Sequence, residues 1–258
     1  MIRQLLERLS RGTSIRRRLP RNFGRRPLHL SADSALSYLK PQWAKSSEPL
    51  LRAASKYAAG AQSVWDIGAN CGVFAIAAAH VAAPDGEVLA IEADPFLAAL
   101  LQKSANELEN ADKKIRVVCA AVSDQPGLAR FLVATRGRSS NSLEQAGHRS
   151  QAGGTRYVQY VPAITLDGLL SSFTKPDLIK IDVEGAEVLV LNGAQKILET
   201  VRPLLYVEVG DEQNAAITDL LRRCDYRLFD GDKSDCVVLK TCAFNTLAVP
   251  AESHRTNG

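Results

Sequence analysis

The sequence predicts an α/β protein built on a mostly parallel sheet with helices on both faces. Three observations carry this. From Ser63 onward, short β-branched apolar runs alternate with longer helical patterns. A glycine-containing turn follows the first of those runs, and the last runs stand too close together for crossover helices.

Taken in order, residues 1–30 are a basic, arginine-rich arm. From Met1 to Pro27 there are nine arginines against the single acid Glu7, a charge of 9 − 1 = +8, so the rest of a chain of net charge +4 carries 4 − 8 = −4. Clustered arginines attract polyanions, and Ile2, Leu5, Leu6 and Leu9 share one helical face. The arm is therefore open to three readings: peripheral contact with an anionic membrane or nucleic acid, an organelle transit peptide, or a mobile, solvated tail.

Residues 31–62 form a helical lead-in, in which Ser47 to Tyr57 has amphipathic spacing. The alternating pattern fills residues 63–250. Strands are predicted at Ser63–Gly68, Glu87–Ala93, Ile115–Val122, Asp177–Val183 and Leu204–Val209, with helices over Pro95–Ala111 and Ala186–Thr200. After a helix at Asn214–Cys224, the runs Tyr226–Asp230, Cys236–Lys240 and Thr246–Pro250 are expected to pair antiparallel. Between strands at Leu128–Ala134 and Tyr157–Ala163, the polar loop 135–156 breaks the rhythm and reads as a functional lid or a surface loop. Residues 251–258 are a tail.

Composition removes several function classes. With 46% hydrophobic content the chain can bury a substantial core, but its longest apolar run, Val73 to Ala83, is too short to span a membrane and reads as a buried helix. Cys71, Cys119, Cys224, Cys236 and Cys242 contain no C-x-x-C pair, and the four histidines are scattered. No zinc site or disulfide framework is signalled, and a reducing, cytoplasmic setting fits.

The turn "VWDIGANCG" joins the first strand to the alanine-rich helix, where small residues let backbone N–H groups approach a ligand. Gly68, Asn70 and Gly72 give G-x-N-x-G rather than the G-x-G-x-x-G of dinucleotide sites, and Asp66 precedes them. A carboxylate there repels a pyrophosphate and attracts an ammonium or sulfonium. Glu92 ends the second strand, where an acid can take both hydroxyls of a ribose. A tight strand-to-helix turn alone would also account for the glycines. Cys71 reads as a small buried filler.

These segments, with "LAIEADP", "AAVSDQPG", "ITLDGLL" and "PDLIKIDVEGAEVLVLNGAQKIL", resemble in order and spacing the FkbM-type S-adenosylmethionine-dependent methyltransferases. The resemblance covers roughly Ser63 to Val209. It implies a class I methyltransferase (Rossmann-like) fold with a seven-stranded sheet and an antiparallel C-terminal strand, with S-adenosyl-L-methionine as cofactor. Asp66, Gly68, Asn70 and Gly72 would then line the methionine end, Glu92 would hold the ribose, and Ser123 and Asp124 would lie near the adenine.

The chemistry concentrates in "KIDVEGAE", Lys180 to Glu187. Methyl transfer to oxygen is an in-line displacement that needs positioning, water exclusion and a base for the hydroxyl proton. Asp182, Glu184 and Glu208 are the candidate catalytic acids. Together they could hold a divalent cation, though paired carboxylates establish no metal and none is assigned. Glu187 falls in the first turn of the next helix, where an acid complements the helix dipole, and Lys180 is a candidate counter-ion. The strand is followed by "DVEG" and not by the N-P-P-Y or D-P-P-Y block that amino methyltransferases of bases resemble one another in. The expected reaction is O-methylation of a small-molecule hydroxyl, such as a sugar or glycosylated natural product, with Arg136 and Arg138 available to an anionic acceptor. Two alternatives stay open: an NAD-dependent oxidoreductase, and a nucleic-acid or membrane-surface binding module led by the arm.

Overall fold

The computed structural model describes residues 11–146, 154–234 and 237–253. The apolar face formed by Ile2, Leu5, Leu6 and Leu9, and with it the first part of the basic arm, lies outside them. The rest of that arm departs from the expectation of a solvated segment. β1 (Ile15–Arg18) and β2 (Pro27–Leu30) form an antiparallel hairpin, with Arg16 opposite His29. Leu19, Phe23, Leu28 and Leu30 are buried in the main core. The arginines that composition offered to a polyanion face the protein's own acids: Arg16 bonds Glu107 and Glu109 at 3.0 Å each, Arg18 meets Glu109 and Arg26 meets Asp112. An arginine-rich stretch is docked here because the segment that follows the helix beside it carries carboxylates.

The lead-in closes with helix α1 (Glu48–Tyr57), whose Leu51, Ala53, Ala54 and Tyr57 turn inward. The seven-stranded sheet then assembles from β3 (Ser63–Ile67), β4 (Glu87–Glu92), β5 (Lys114–Cys119), β10 (Leu178–Ile181), β11 (Leu204–Glu208), β12 (Tyr226–Asp230) and β13 (Asn245–Pro250), in spatial order β12-β13-β11-β10-β3-β4-β5. Every pair from β11 across to β5 is parallel, while β13 runs antiparallel to both β11 and β12. Strand alternation sends Val64 into the core on one face and Trp65 and Ile67 into the core on the other. The first face is covered by α1, α2 (Val73–Val81) and α3 (Pro95–Ala105), the second by α4 (Glu187–Asn192) and α5 (Asn214–Arg223). Each large aliphatic side chain withdrawn this way contributes about 1.5–3 kcal/mol.

Two expected strands change. The run Ile115–Val122 divides after β5: Ala120 N still donates to Glu92 O at 3.1 Å, but β6 (Ala121–Val122) pairs with β9 (Thr155–Ile164) in a second sheet. That sheet has the order β6-β9-β7-β8, with β7 (Gly127–Ala134) antiparallel to β9 and to the short β8 (Ser142–Leu143). Residues 237–240 form no strand, and Cys236 lies outside the described residues. Val237 and Val238 are exposed whereas β13 is buried from Thr246 to Pro250, so β13 takes the place beside β12 that the apolar pattern of 236–240 suggested for itself. Among the described residues no helix is long and apolar enough to cross a membrane.

Candidate functional site

At the carboxyl ends of β3, β4 and β10 a cleft of about 1040 Å³ opens, partly to solvent. Its floor is the turn after β3. Gly68, Asn70 and Gly72 all have positive φ (76°, 52° and 85°), a left-handed path that keeps the turn tight. At Gly68 the lack of a side chain is mandatory, because a β-carbon would fall 1.9 Å from the carbonyl oxygen of Asp182 on the neighbouring strand end. Gly72 caps α2 with no room beneath it: a β-carbon there would meet the Leu101 side chain at 2.1 Å.

Glu92 lines the cleft at the end of β4 and is itself buried. One carboxyl oxygen accepts from Asn70 N and the other from Asp94 N, both at 2.7 Å. Burial pushes its carboxyl up to about 7 against the pull of those two amides. Since a carboxylate offers about four acceptor positions, two remain for a ligand. Cys71 behaves as the small buried residue it was read to be, with burial pushing its thiol up to about 12.

Under the turn lies an ion triad. Lys180 Nζ stands 3.3 Å from Asp66 and 3.2 Å from Asp182, and donates to Gly68 O at 3.3 Å. Burial pulls the ammonium down, but the carboxylates of Asp182 and Asp66 outweigh it and its pKa is raised. Lys180 and Asp66 are register partners on adjacent parallel strands, which puts both on the same sheet face. Asp66, expected at a cofactor's methionine end, thus lies beneath the turn. Fully buried, it does not line the cleft and is committed to Lys180.

The other acids separate by role. Asp182 and Glu184 line the cleft, the latter in a left-handed conformation of φ 56°. Glu208, at the end of β11, does not line the cleft but brings a carboxylate oxygen within 4.8 Å of one from each of the other two, a spacing that one cation could bridge. Glu187 is buried and turned back, accepting from Val183 N at 3.2 Å and Gly185 N at 3.1 Å, so it braces the loop that carries Glu184.

Ser123 and Asp124 do not line the cleft, and neither does Gly72; Ser123 O is packed against Gly193. The adjoining wall comes from Ala120, Ala121 and Val122, the three residues just before the pair expected there, where the chain leaves one sheet for the other. Of the roof, the sequence reading anticipated only that the loop 135–156 could act as a lid, and not Tyr38 or Phe131. Tyr38 from the lead-in, Phe131 from β7, Arg138, Ser139 and Asn141 from the loop after it and Leu143 from β8 all line the cleft. Their approach is long-range and has no local pattern. Arg138 is not available to an anionic acceptor: it bonds Asp33 at 2.7 Å and Asp94 at 2.6 Å with its side chain nine-tenths buried. Arg136 is exposed on an adjoining cavity, and residues 147–153 of the polar loop lie outside the described residues.

Comparisons with known proteins bear on this site. Residues 66–228 match the model of the methyltransferase FkbM domain. Among solved structures, a methyltransferase FkbM from Methylobacillus flagellatus has 16% identity and a TM-score of 0.48, over 74% of this chain and 44% of that one. This chain thus spans less than half the length of that relative. A precorrin-6y C5,15-methyltransferase from Geobacter metallireducens has 12% identity and a TM-score of 0.45, covering 79% of this chain and 86% of that one. A magnesium protoporphyrin IX methyltransferase from Synechocystis, solved with bound S-adenosylmethionine, has 13% identity and a TM-score of 0.43, over 81% of this chain and 78% of that one. No curated protein matches the chain.

Proposed function

The chain belongs to the FkbM methyltransferase family, with S-adenosyl-L-methionine as its cofactor, and from that premise we propose that it methylates a hydroxyl oxygen of a small-molecule or glycosylated acceptor. Membership replaces the nicotinamide oxidoreductase and the non-enzymatic binding module as alternatives. The observation that carries the oxygen reading is the pair of acceptor carboxylates Asp182 and Glu184 on the cleft wall, with Glu208 close to both, where the sequence has no amide-bearing N-P-P-Y block.

The cleft fits the cofactor on its own chemistry. The glycine turn leaves backbone exposed at its floor, Glu92 keeps two acceptor positions for the ribose hydroxyls, and the Ala120–Val122 wall is apolar enough for a base. Gly68 and Asn70 line the methionine end in this assignment, with Gly72 supporting the turn from below. When bound, S-adenosyl-L-methionine supplies an electrophilic methyl group on a sulfonium.

The remaining work falls to the acids. Lys180 anchors Asp182 from below, so its carboxylate is held in one orientation at the cleft wall. In that position Asp182 accepts the proton of the acceptor hydroxyl as the oxygen attacks, with Glu184 orienting the same hydroxyl and Glu208, set back from the cleft lining, within 4.8 Å of both carboxylates. Positioned proton transfer of this kind is worth about 10²–10⁴-fold in rate. The test is methyl transfer from labelled S-adenosylmethionine to a panel of sugars and polyol glycosides set against amines and nucleic acids. Product on a hydroxyl, lost in Asp182→Asn while S-adenosylhomocysteine still binds within threefold, is the expected result. Transfer to nitrogen alone, or an Asp182→Asn protein of full activity, would overturn it.

A further inference from the structure

Around the cleft mouth runs a closed circuit of hydrogen bonds between elements that belong to different layers. Glu92 accepts from Asn70 N and Asp94 N. Asn70 Oδ1 accepts from Ser34 Oγ at 2.7 Å, and Ser34 O accepts from Ser139 Oγ at 3.0 Å. Next to Ser139, Arg138 donates to Asp94 Oδ2 at 2.6 Å and closes the circuit. Two of its segments, the lead-in at Ser34 and the β7–β8 loop at Arg138 and Ser139, lie outside the seven-stranded sheet and its helices.

Arg138 is the hub. Its Nε donates to Asp33 Oδ2 at 2.7 Å, its Nη2 to the Tyr157 hydroxyl at 3.2 Å, and its guanidinium lies 4.7 Å from the centre of the Phe96 ring. Arg156 holds the other oxygen of Asp33 at 2.7 Å, and Asn141 donates to Asp94 Oδ2 at 2.7 Å. Asp33 and Asp94 are both almost fully buried, so their charges depend on these partners. A rigid fork satisfied on three sides fixes the α3 N-terminus, and the backbone N–H of Asp94 is one of the two that aim the Glu92 carboxylate.

We propose that Arg138 is a positioning residue for cofactor binding: acting through Asp94, it orients Glu92 toward the ribose hydroxyls and ties the roof of the cleft to its floor. The inference rests on Glu92 as the ribose acid and not on the identity of the acceptor. It separates Arg138 from a residue that merely stabilises the fold, because its effect should fall on the ribose hydroxyls in particular.

The experiment is equilibrium binding of S-adenosylhomocysteine and of its 2′-deoxyribose analogue to the full chain, by calorimetry, for wild type, Arg138→Gln and Arg138→Lys. Wild type should prefer the ribose ligand at least tenfold. In Arg138→Gln that preference should collapse to less than threefold with the ribose ligand weakened tenfold or more, and Arg138→Lys should recover part of it. Equal weakening of both ligands in Arg138→Gln, with the preference intact, would overturn the positioning role. A wild type that does not distinguish the two ligands would instead remove the ribose assignment of Glu92. Should Arg138→Gln fail to fold, Arg138→Lys decides alone: an unchanged preference and unchanged affinity would reject the proposal, because an ammonium cannot reproduce the fork.

Discussion

Gly68 and Asp182 come so close that a β-carbon on the first would sit 1.9 Å from the carbonyl oxygen of the second. The two strand ends that bear the cleft's floor and its chemistry thus meet backbone against backbone. Lys180 reinforces the same junction from below by donating to Gly68 O.

Gly68→Ala should therefore damage both stability and binding. A left-handed alanine costs about 1–2 kcal/mol before any clash, and here the obstacle is main chain that cannot rotate away. Thermal unfolding should show a lowered Tm, and calorimetry an S-adenosylhomocysteine affinity at least tenfold weaker. Wild-type values on both would mean that the two loops separate without penalty.

Lys180→Met isolates the buried triad. It leaves Asp66 in the core without a cation, a loss of about 3–5 kcal/mol when one partner of a buried pair is removed. The pH dependence follows from the raised pKa of Asp66, which burial causes and Lys180 opposes. A buried acid with an elevated folded pKa is protonated more readily in the folded state, so its penalty grows as pH rises above the ordinary carboxylate range. Urea unfolding should show a larger deficit at pH 8 than at pH 5, and Asp66→Asn in the same chain should restore much of it. An equal deficit at both values would place the damage in packing rather than charge.

Glu92 predicts how cofactor affinity responds to pH. Burial holds its carboxyl near 7 in the unliganded protein, and only the ionised form offers acceptors to both ribose hydroxyls. Between pH 8 and pH 6 the dissociation constant for S-adenosylhomocysteine should rise by about tenfold, the factor by which the ionised fraction falls across a pKa of about 7. The folding contribution has the opposite sense. With a folded pKa near 7 against an ordinary 4.5, the group favours the unliganded fold below 4.5 and loses that contribution as pH rises through 7. A flat affinity profile would contradict the first expectation, and Glu92→Gln should remove the slope.

The core sheet was legible because parallel strands buried on both faces read as continuous apolar runs. So was the cleft's edge: Gly68, Asn70, Glu92, Asp182 and Glu184 line it as their places at strand ends imply. The burial of Asp66 was not legible, because the turn pattern says nothing of which way a strand residue points, and its register with Lys180 turns it into the core. The basic arm misled because composition counts charges without their partners, and Glu107, Glu109 and Asp112 lie some ninety residues away in sequence. Arg138 shares that blindness: its contacts with Asp33 and Asp94 span 105 and 44 residues, distances over which no periodicity survives.

β13 also governs the order in which the fold can be finished. It lies between β11 and β12 and follows both in the chain, so β12 pairs with the sheet only through a strand that is synthesised later. Because domains fold as the chain emerges, the parallel part of the sheet can form while β12 still waits for a neighbour. A chain interrupted between β12 and β13 would lose two strands of the sheet for the absence of one, and would leave the edge of β11 unpaired, open to another chain's strand.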